Sequence, residues 1–515
     1  MQAGETFSKA LNRLGFFTLV YPEYPSRIRG GDNNIQVVFS SQPALSPSKE
    51  IDILLAFGQK NFKAHQKELK KNGLQFEGSV LGLDKIAQEL GNPLVMNTAG
   101  LGFLWAILGL DLEVLRNQVT EDFSDEKIRE LNLKAVEKGF EKGLGRKQLK
   151  LTEDSSRKIV NLSGNEALTQ GILAGKCGFA AIYPMTPINE ILRLLANSKI
   201  ELFRPEDEIA GINAAIGAAF AGRRAIVATS GGGFSLMVEA LGMAGMAEIP
   251  VVIIVGQRTG PSTGIATFSS QADLNFVIHA GQGEFPKIVL APGDLREAYW
   301  LGAEAFNLAE VYQVPVILLI DKYLAESRFS TIEVKTKVGI KRGKLAKELK
   351  NYRRYEFTDD GISPRAFPGQ TTFLTNSYEH DEFGFSSDEV ENRERMMEKR
   401  AKKVQGLKEG FEVYGKDGGR GTLVGWGSTK EIILDVLKDF PEFNFVHFWR
   451  LWPFPREVKN ILGRAREVIV IEGNFSGQLA DLIEKETGLK TKRILKDNGR
   501  PFFREEMKER ISSLK

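Results

Sequence analysis

Cysteine is almost missing: the 515 residues hold a single thiol, Cys177. One thiol cannot close an intrachain disulfide or supply the ligands of a zinc or iron–sulfur site. The four histidines, His65, His279, His380 and His447, are scattered and share no metal-ligand spacing. No Cys/His-bound metal is therefore expected in this chain by itself. Long apolar runs are also lacking; no window approaches the roughly 18 uncharged apolar residues of a membrane span. The opening MQAGETFSKAL has no basic stretch leading into an apolar core, so no secretory signal is expected and the chain reads as cytoplasmic. A dominant charge sign is lacking as well. With 69 basic and 66 acidic residues the net charge is +3, too balanced for a dedicated nucleic-acid binder.

What is present is an ordinary globular composition, 42% hydrophobic and 26% charged, which excludes long disorder. The length exceeds one hydrophobic core, so roughly two to four domains are expected. The 52 glycines point to glycine-rich turns between strands and helices.

The chain divides into four blocks of an α/β protein. In 1–150, strand-like runs at Gln36–Phe39, Ile53–Phe57, Ser79–Leu83 and Pro93–Asn97 alternate with helical patterns, including Leu101–Leu110 and Asp125–Gly143. This predicts a parallel-sheet α/β unit, followed by a polar linker over Gly145–Lys158. Block 159–324 carries strands at Ala180–Tyr183, Glu201–Phe203, Ala225–Thr229, Val251–Val255, Lys287–Leu290 and Pro315–Ile320. Ile209, Ile212, Ile216 and Phe220 recur at helical spacing, which predicts a helix over Glu206–Gly222 buried against a sheet. This block reads as a doubly wound domain whose ligands sit at the carboxyl ends of its strands. Block 325–417 is polar and mixed in charge, with one helical run at Glu389–Lys408, and reads as a wrapping segment. Block 418–515 returns to α/β: strand Thr422–Gly425, helix Thr429–Asp439, strand Phe443–Phe448, helix Pro455–Arg464 and strand Glu467–Glu472.

Four motifs fall on strand ends of the second block. Tyr183-Pro184-Met185-Thr186-Pro187 leaves a strand and opens a helix; Thr186 either offers its hydroxyl to a ligand or caps that helix. Glu208 stands early in a helix after Glu206 and Asp207, where a carboxylate either complements the helix dipole or points into a cleft. Gly231-Gly232-Gly233 follows Ser230 between a strand and a helix, and such a turn brings a ligand onto bare backbone amides. It is neither the dinucleotide fingerprint nor a phosphate loop with its lysine. Arg258, in Gln257-Arg258-Thr259-Gly260-Pro261-Ser262-Thr263-Gly264, is the cation of a loop of small residues; it is either a surface arginine or a bidentate clamp for a carboxylate.

Taken together with Gly164-Asn165-Glu166-Ala167, Gln271-Ala272-Asp273-Leu274 and HAGQGEFPKIVLAPG from His279, these motifs give the chain a family resemblance. YPEYPSRIRGG at Tyr21–Gly31, GISPRAFPG at Gly361–Gly369, EHDEFG at Glu379–Gly384 and DNGRPFFREE near the C-terminus extend it over nearly the whole length. The chain resembles the fused gamma–alpha subunit of the 2-oxoacid:ferredoxin oxidoreductases, a thiamine-diphosphate family. The resemblance implies a gamma domain over 1–150, a thiamine pyrimidine-binding domain over 159–324 and a transketolase C-terminal-like α/β domain over 418–515. The gamma domain begins here at about its first helix, so its first strand is expected to be missing.

The same resemblance assigns roles. Glu208 would hydrogen-bond the aminopyrimidine ring, Thr186 the reacting substrate or cofactor, and Arg258, with Thr259, the carboxylate of the 2-oxoacid. Tyr183, Pro184, Met185, Gly231, Gly232 and Gly233 would line the cofactor. The implied reaction is coenzyme A-dependent oxidative decarboxylation of a 2-oxoacid, or its reverse, with electrons passing to iron–sulfur clusters and ferredoxin; the fused arrangement leans toward 2-oxoglutarate or a broad range. This chain has no GDG motif for a diphosphate-bound magnesium ion and no cluster cysteines. Magnesium and iron–sulfur clusters are therefore expected in a separate beta subunit, giving a heterodimer or a dimer of heterodimers that shares the thiamine diphosphate. The alternatives are a non-catalytic scaffold for a beta subunit and a ferredoxin-independent thiamine enzyme component.

Overall fold

The computed structural model describes residues 2–26, 33–146, 149, 151–416 and 419–514. They form two compact units that do not follow the four blocks. One unit takes 1–162, 327–333 and 503–515; the other takes 163–326 and 334–502.

In the first unit a four-stranded sheet runs in the order Asn34–Ser40, Phe17–Glu23, Arg328–Thr331, Val160–Ser163. The parallel sheet expected here is corrected: Phe17–Glu23 pairs antiparallel with both of its neighbours. The link between the first two strands is shorter than the dozen or so residues that a parallel crossover needs. Parallel pairing occurs between Ile51–Ala56 and Leu69–Glu77. Ser79–Leu83 and Pro93–Asn97, expected as strands, are helix entries. Gly82, with φ 74°, leads into the helix Leu83–Glu89. Pro93 lies just before Val95–Ile107, a largely apolar helix, buried at ten of its 13 residues, that carries little amphipathic period to read. That helix packs so closely on Glu126–Gly143 that a β-carbon at Gly139 would lie 1.9 Å from the Ala99 carbonyl oxygen. Gln2–Arg13 inserts Phe7 and Leu11 into the same core, where Phe7 meets Trp105 edge to face. Of the motifs expected to matter, Arg27, Ile28, Arg29, Gly30 and Gly31 lie outside the described residues, as do Lys147, Gln148 and Lys150 of the linker.

The second unit is built on a seven-stranded sheet in the order Arg450–Trp452, Ile288–Leu290, Val316–Asp321, Val252–Gln257, Ala225–Ser230, Phe179–Ile182, Glu201–Phe203. All its pairs are parallel except the edge pair of Arg450–Trp452 with Ile288–Leu290. Its central strands are buried on both faces and read as continuous apolar runs. A five-stranded sheet follows the order Phe411–Tyr414, Phe443–Phe448, Gly421–Trp426, Val468–Glu472, Lys492–Leu495. Its first strand precedes the expected boundary at residue 418; Asp417 and Gly418 themselves lie outside the described residues. The helix expected over Pro455–Arg464 is a 3-10 turn, Arg456–Val458, followed by the short helix Lys459–Leu462.

The wrapping stretch has little regular structure before the helix Val390–Lys402, and buried charge fixes it in place. Lys399 donates to both carboxylate oxygens of the fully buried Glu248, at 2.7 and 2.9 Å. Arg354 bonds the Glu248 carbonyl at 2.7 Å. Burial works against the Glu248 charge, but Lys399, Lys403 and Arg354 outweigh it and hold the carboxyl well below its ordinary range. Cys177 is buried, which pushes its thiol up to about 12 and leaves it a poor nucleophile. Among the described residues no helix is long and apolar enough to cross a membrane, and no group of three or more His, Cys, Asp or Glu is arranged to hold a metal.

Candidate active site

The strands Val252–Gln257, Ala225–Ser230 and Phe179–Ile182 lie side by side and in parallel. The chain goes outward from Phe179–Ile182 to Glu201–Phe203, then returns to the other side at Ala225–Ser230. Strand order therefore reverses between these neighbours, where doubly wound sheets leave a ligand crevice beyond their carboxyl ends. The loops that follow the three strands carry the candidate residues.

The first loop is Tyr183 to Pro187. Its cis Pro187 packs against Gly256 of the third strand, where a β-carbon would stand 2.8 Å from the proline ring. The buried Asn165 fastens it, donating from Nδ2 to the Pro187 carbonyl at 2.9 Å. Thr186 is not a helix cap, because the next helix starts at Asn189 with Ile188 at its N-cap. Met185 brings its sulfur against the Ser230 hydroxyl at the end of the middle strand, while Tyr183 and Pro184 are exposed at the rim.

The second loop is no loop at all. Gly231, Gly232 and Gly233, expected as a turn, form the first turn of the helix Gly231–Met246, and Ser230 at its N-cap makes no side-chain cap bond. Small residues there leave the helix amides uncovered.

Glu208 opens the neighbouring helix, Glu208–Phe220. The capping that a carboxylate could perform there is done by Asp207, which accepts from the Ala210 amide at 2.8 Å. Glu208 is thereby released to turn inward. It is 5% exposed, and its Oε1 is buried without a hydrogen-bond partner. A β-carbon at Gly233 would lie 2.6 Å from that oxygen and 2.0 Å from Thr229 Oγ1, so the third glycine makes the space in which the carboxylate lies. Ile212 and Ile216 of this helix are buried as expected, whereas Ile209 is corrected to the exposed side.

The third loop holds Arg258, half-buried, whose Nη1 donates to the Thr186 carbonyl at 3.1 Å. Thr259 spends its hydroxyl on the Ser269 carbonyl, 3.1 Å away, closing the loop on itself. Asp273, in the motif Gln271-Ala272-Asp273-Leu274, carries no expected role from the sequence. A β-carbon at Gly231 would lie 2.6 Å from Asp273 Oδ2. Burial raises the Asp273 carboxyl to about 6, against the attraction of Arg258. Gln271, two residues earlier, anchors this stretch in the five-stranded sheet: its Nε2 reaches the Trp426 carbonyl at 2.8 Å and its Oε1 accepts from the Gly473 amide at 2.8 Å. That position is the reversal point of the second sheet, so Gln271 fills the crevice there. Its signal in the sequence was a polar residue between two serines and a helix start, too common to single out.

The site thus brings Glu208, Met185, Thr186, Arg258 and the three glycines to adjoining strand ends of one sheet. A family of pyruvate flavodoxin/ferredoxin oxidoreductases, thiamine diP-bdg, matches residues 170–399, and the pyruvate ferredoxin/flavodoxin oxidoreductase family matches residues 1–142. A 2-oxoacid:ferredoxin oxidoreductase subunit alpha from a Sulfolobus species is 34% identical, over 99% of this chain and 94% of its own. The 2-oxoglutarate oxidoreductase subunit KorA of Mycobacterium tuberculosis is 28% identical over 98% of this chain and 88% of its own. A solved structure of 2-oxoglutarate:ferredoxin oxidoreductase from Magnetococcus marinus, with 2-oxoglutarate, coenzyme A and succinyl-CoA bound, superimposes with a TM-score of 0.92. It is 28% identical and covers all of this chain and 96% of that one. The fold and the matching families define a thiamine-diphosphate oxidoreductase component. The chain belongs to the alpha subunits of the 2-oxoacid:ferredoxin oxidoreductase family.

Proposed function

We propose that this chain provides the thiamine-activating and carboxylate-gripping half of a coenzyme A-dependent 2-oxoacid:ferredoxin oxidoreductase, with 2-oxoglutarate among its substrates. The observation that carries the reading is the orphaned, buried Oε1 of Glu208 beside the space kept open by Gly233. A buried carboxylate oxygen with no donor is costly, on the order of 1–3 kcal/mol, unless a ligand brings one. A protonated ring nitrogen of an aminopyrimidine supplies such a donor, so the residues fit thiamine.

When bound, thiamine diphosphate supplies a carbon nucleophile for the oxoacid carbonyl and an electron sink for decarboxylation. Glu208 holds a proton on that ring nitrogen and so favours the tautomer whose exocyclic nitrogen acts as base. Arg258 presents a planar guanidinium to the oxoacid carboxylate. Thr186 faces the reacting centre, and the bare turn Gly231–Gly233 allows the ring to approach. The absent GDG motif and cluster cysteines, together with relatives named as alpha subunits, support a partner beta subunit that carries magnesium, iron–sulfur clusters and the contact with ferredoxin.

The test is Glu208→Gln in the complex purified with that partner. The isostere should keep the fold and the bound partner, yet lower thiamine C2-proton exchange by roughly a hundredfold or more, the size of a lost acid–base group. Exchange at the wild-type rate refutes the reading.

A further inference from the structure

We propose that Asp273 is a positioning residue for the substrate: it balances the charge of Arg258 while no oxoacid is present and takes up a proton when an oxoacid carboxylate arrives at that arginine. The inference rests on the reading of Arg258 given above and deepens it.

Asp273 occupies the N-cap position of the helix Leu274–His279 but makes no cap bond with its side chain. The carboxylate instead abuts Gly231, at the head of the neighbouring helix, where any larger residue would displace it. Its place is stiffly set. Its own amide donates to Gln257 Oε1 at 3.3 Å, Gln271 pins the preceding turn, and Gln478 accepts the Asn275 amide at 2.8 Å and donates to the Ala272 carbonyl at 2.8 Å. No hydrogen bond reaches the Asp273 carboxylate from another side chain among the described residues, so its charge is left for Arg258 to neutralise across space.

The groups around it are few. Arg258 comes from the adjoining strand end, and Gln257 and Gln478 are neutral. The glycine turn bears no side chain, and Glu208 lies at Gly233, farther along that turn. Burial already lifts the Asp273 carboxyl to about 6 with Arg258 opposing. An oxoacid carboxylate that claims the guanidinium removes part of that opposition and adds a second negative charge, and both changes raise the carboxyl further. Near neutral pH binding must then draw a proton from solvent onto Asp273; no bond of the oxoacid is altered by this step.

The kinetic measurements use the complete complex with thiamine diphosphate. The calorimetry uses the same complex loaded with a thiamine diphosphate analogue that cannot form the C2 carbanion, so that binding is not followed by decarboxylation. Titration of 2-oxoglutarate into it at pH 7, in two buffers of different ionisation enthalpy, should give an uptake of a substantial fraction of one proton. The KM for 2-oxoglutarate should rise with pH above about 6, by up to about tenfold per unit for a single linked proton. Asp273→Asn should flatten that rise while leaving kcat within about twofold, a split that a merely structural role would not give. No proton uptake by the wild-type complex, or a pH profile of KM unchanged in Asp273→Asn, overturns the proposal. The calorimetry decides the question even where the variant fails to assemble. A wild-type complex that neither binds nor turns over any 2-oxoacid overturns the functional reading, and this inference with it; turnover without proton uptake overturns the inference alone.

Discussion

Replacing Gly233 by alanine separates folding from function. Within a helix the added methyl gains about 1 kcal/mol of backbone entropy. It also meets Thr229 Oγ1 at 2.0 Å and Glu208 Oε1 at 2.6 Å, and such over-packing costs about 1–3 kcal/mol. The two terms nearly cancel, so Tm should fall by less than about 5 °C. The side chain that must yield is the more consequential loss. To restore van der Waals contact, the Glu208 oxygen must retreat by just under an ångström, and a misplacement of that size at a catalytic group can cost about a hundredfold in rate. The assay is thiamine C2 hydrogen–deuterium exchange by NMR in the assembled complex, alongside thermal melting. Gly242→Ala, in the same helix, is the control, because its β-carbon would meet no atom within 4 Å and leave Glu208 and the glycine turn where they are. Wild-type exchange in Gly233→Ala, or a loss accounted for by unfolding, would refute the claim that this glycine makes room for the carboxylate.

The substrate side and the wrapping stretch give two more expectations. Arg258→Ala should lower kcat/KM for the 2-oxoacid by roughly ten- to a hundredfold, since a charge-assisted contact contributes about 1.5–3 kcal/mol, with thiamine affinity almost unchanged in equilibrium titration; a collapse of thiamine affinity with the oxoacid KM intact would move Arg258 to the cofactor. Lys399→Met should destabilise the chain by only about 1–3 kcal/mol in urea unfolding, because Glu248 keeps the buried Lys403 as its ion-pair partner, whereas Glu248→Gln, which leaves both lysines without their carboxylate, should cost about 3–5 kcal/mol.

The second unit was the more legible in the sequence because parallel strands covered on both faces are short apolar runs punctuated by turn residues. Phe443–Phe448 and Glu201–Phe203 fall where the sequence puts them. Edge and half-exposed strands were missed, among them Leu69–Glu77, with two lysines, and Arg450–Trp452, three residues long. Val95–Ile107 misled in the opposite way, since a helix buried at ten of its 13 residues carries little period to distinguish it from a strand. Within the site, the chemistry-bearing side chains were readable from their type and their place at strand ends. The arrangement that makes Glu208 reactive was not. It depends on Asp207 taking the cap and on the third glycine lying opposite the carboxylate, relations between chain positions 25 residues apart. Asp273 escaped notice because only the fold brings it beside Gly231.

The strand Arg450–Trp452 has a consequence for how the molecule is made. It closes the exposed side of Ile288–Leu290, yet it leaves the ribosome about 160 residues later. At about 5–20 residues per second, the site-bearing sheet waits roughly ten to thirty seconds with an apolar edge open to other nascent chains. Biosynthesis, rather than the finished fold, is where this protein is most exposed to misassembly, and a chaperone acting during that interval would protect it most.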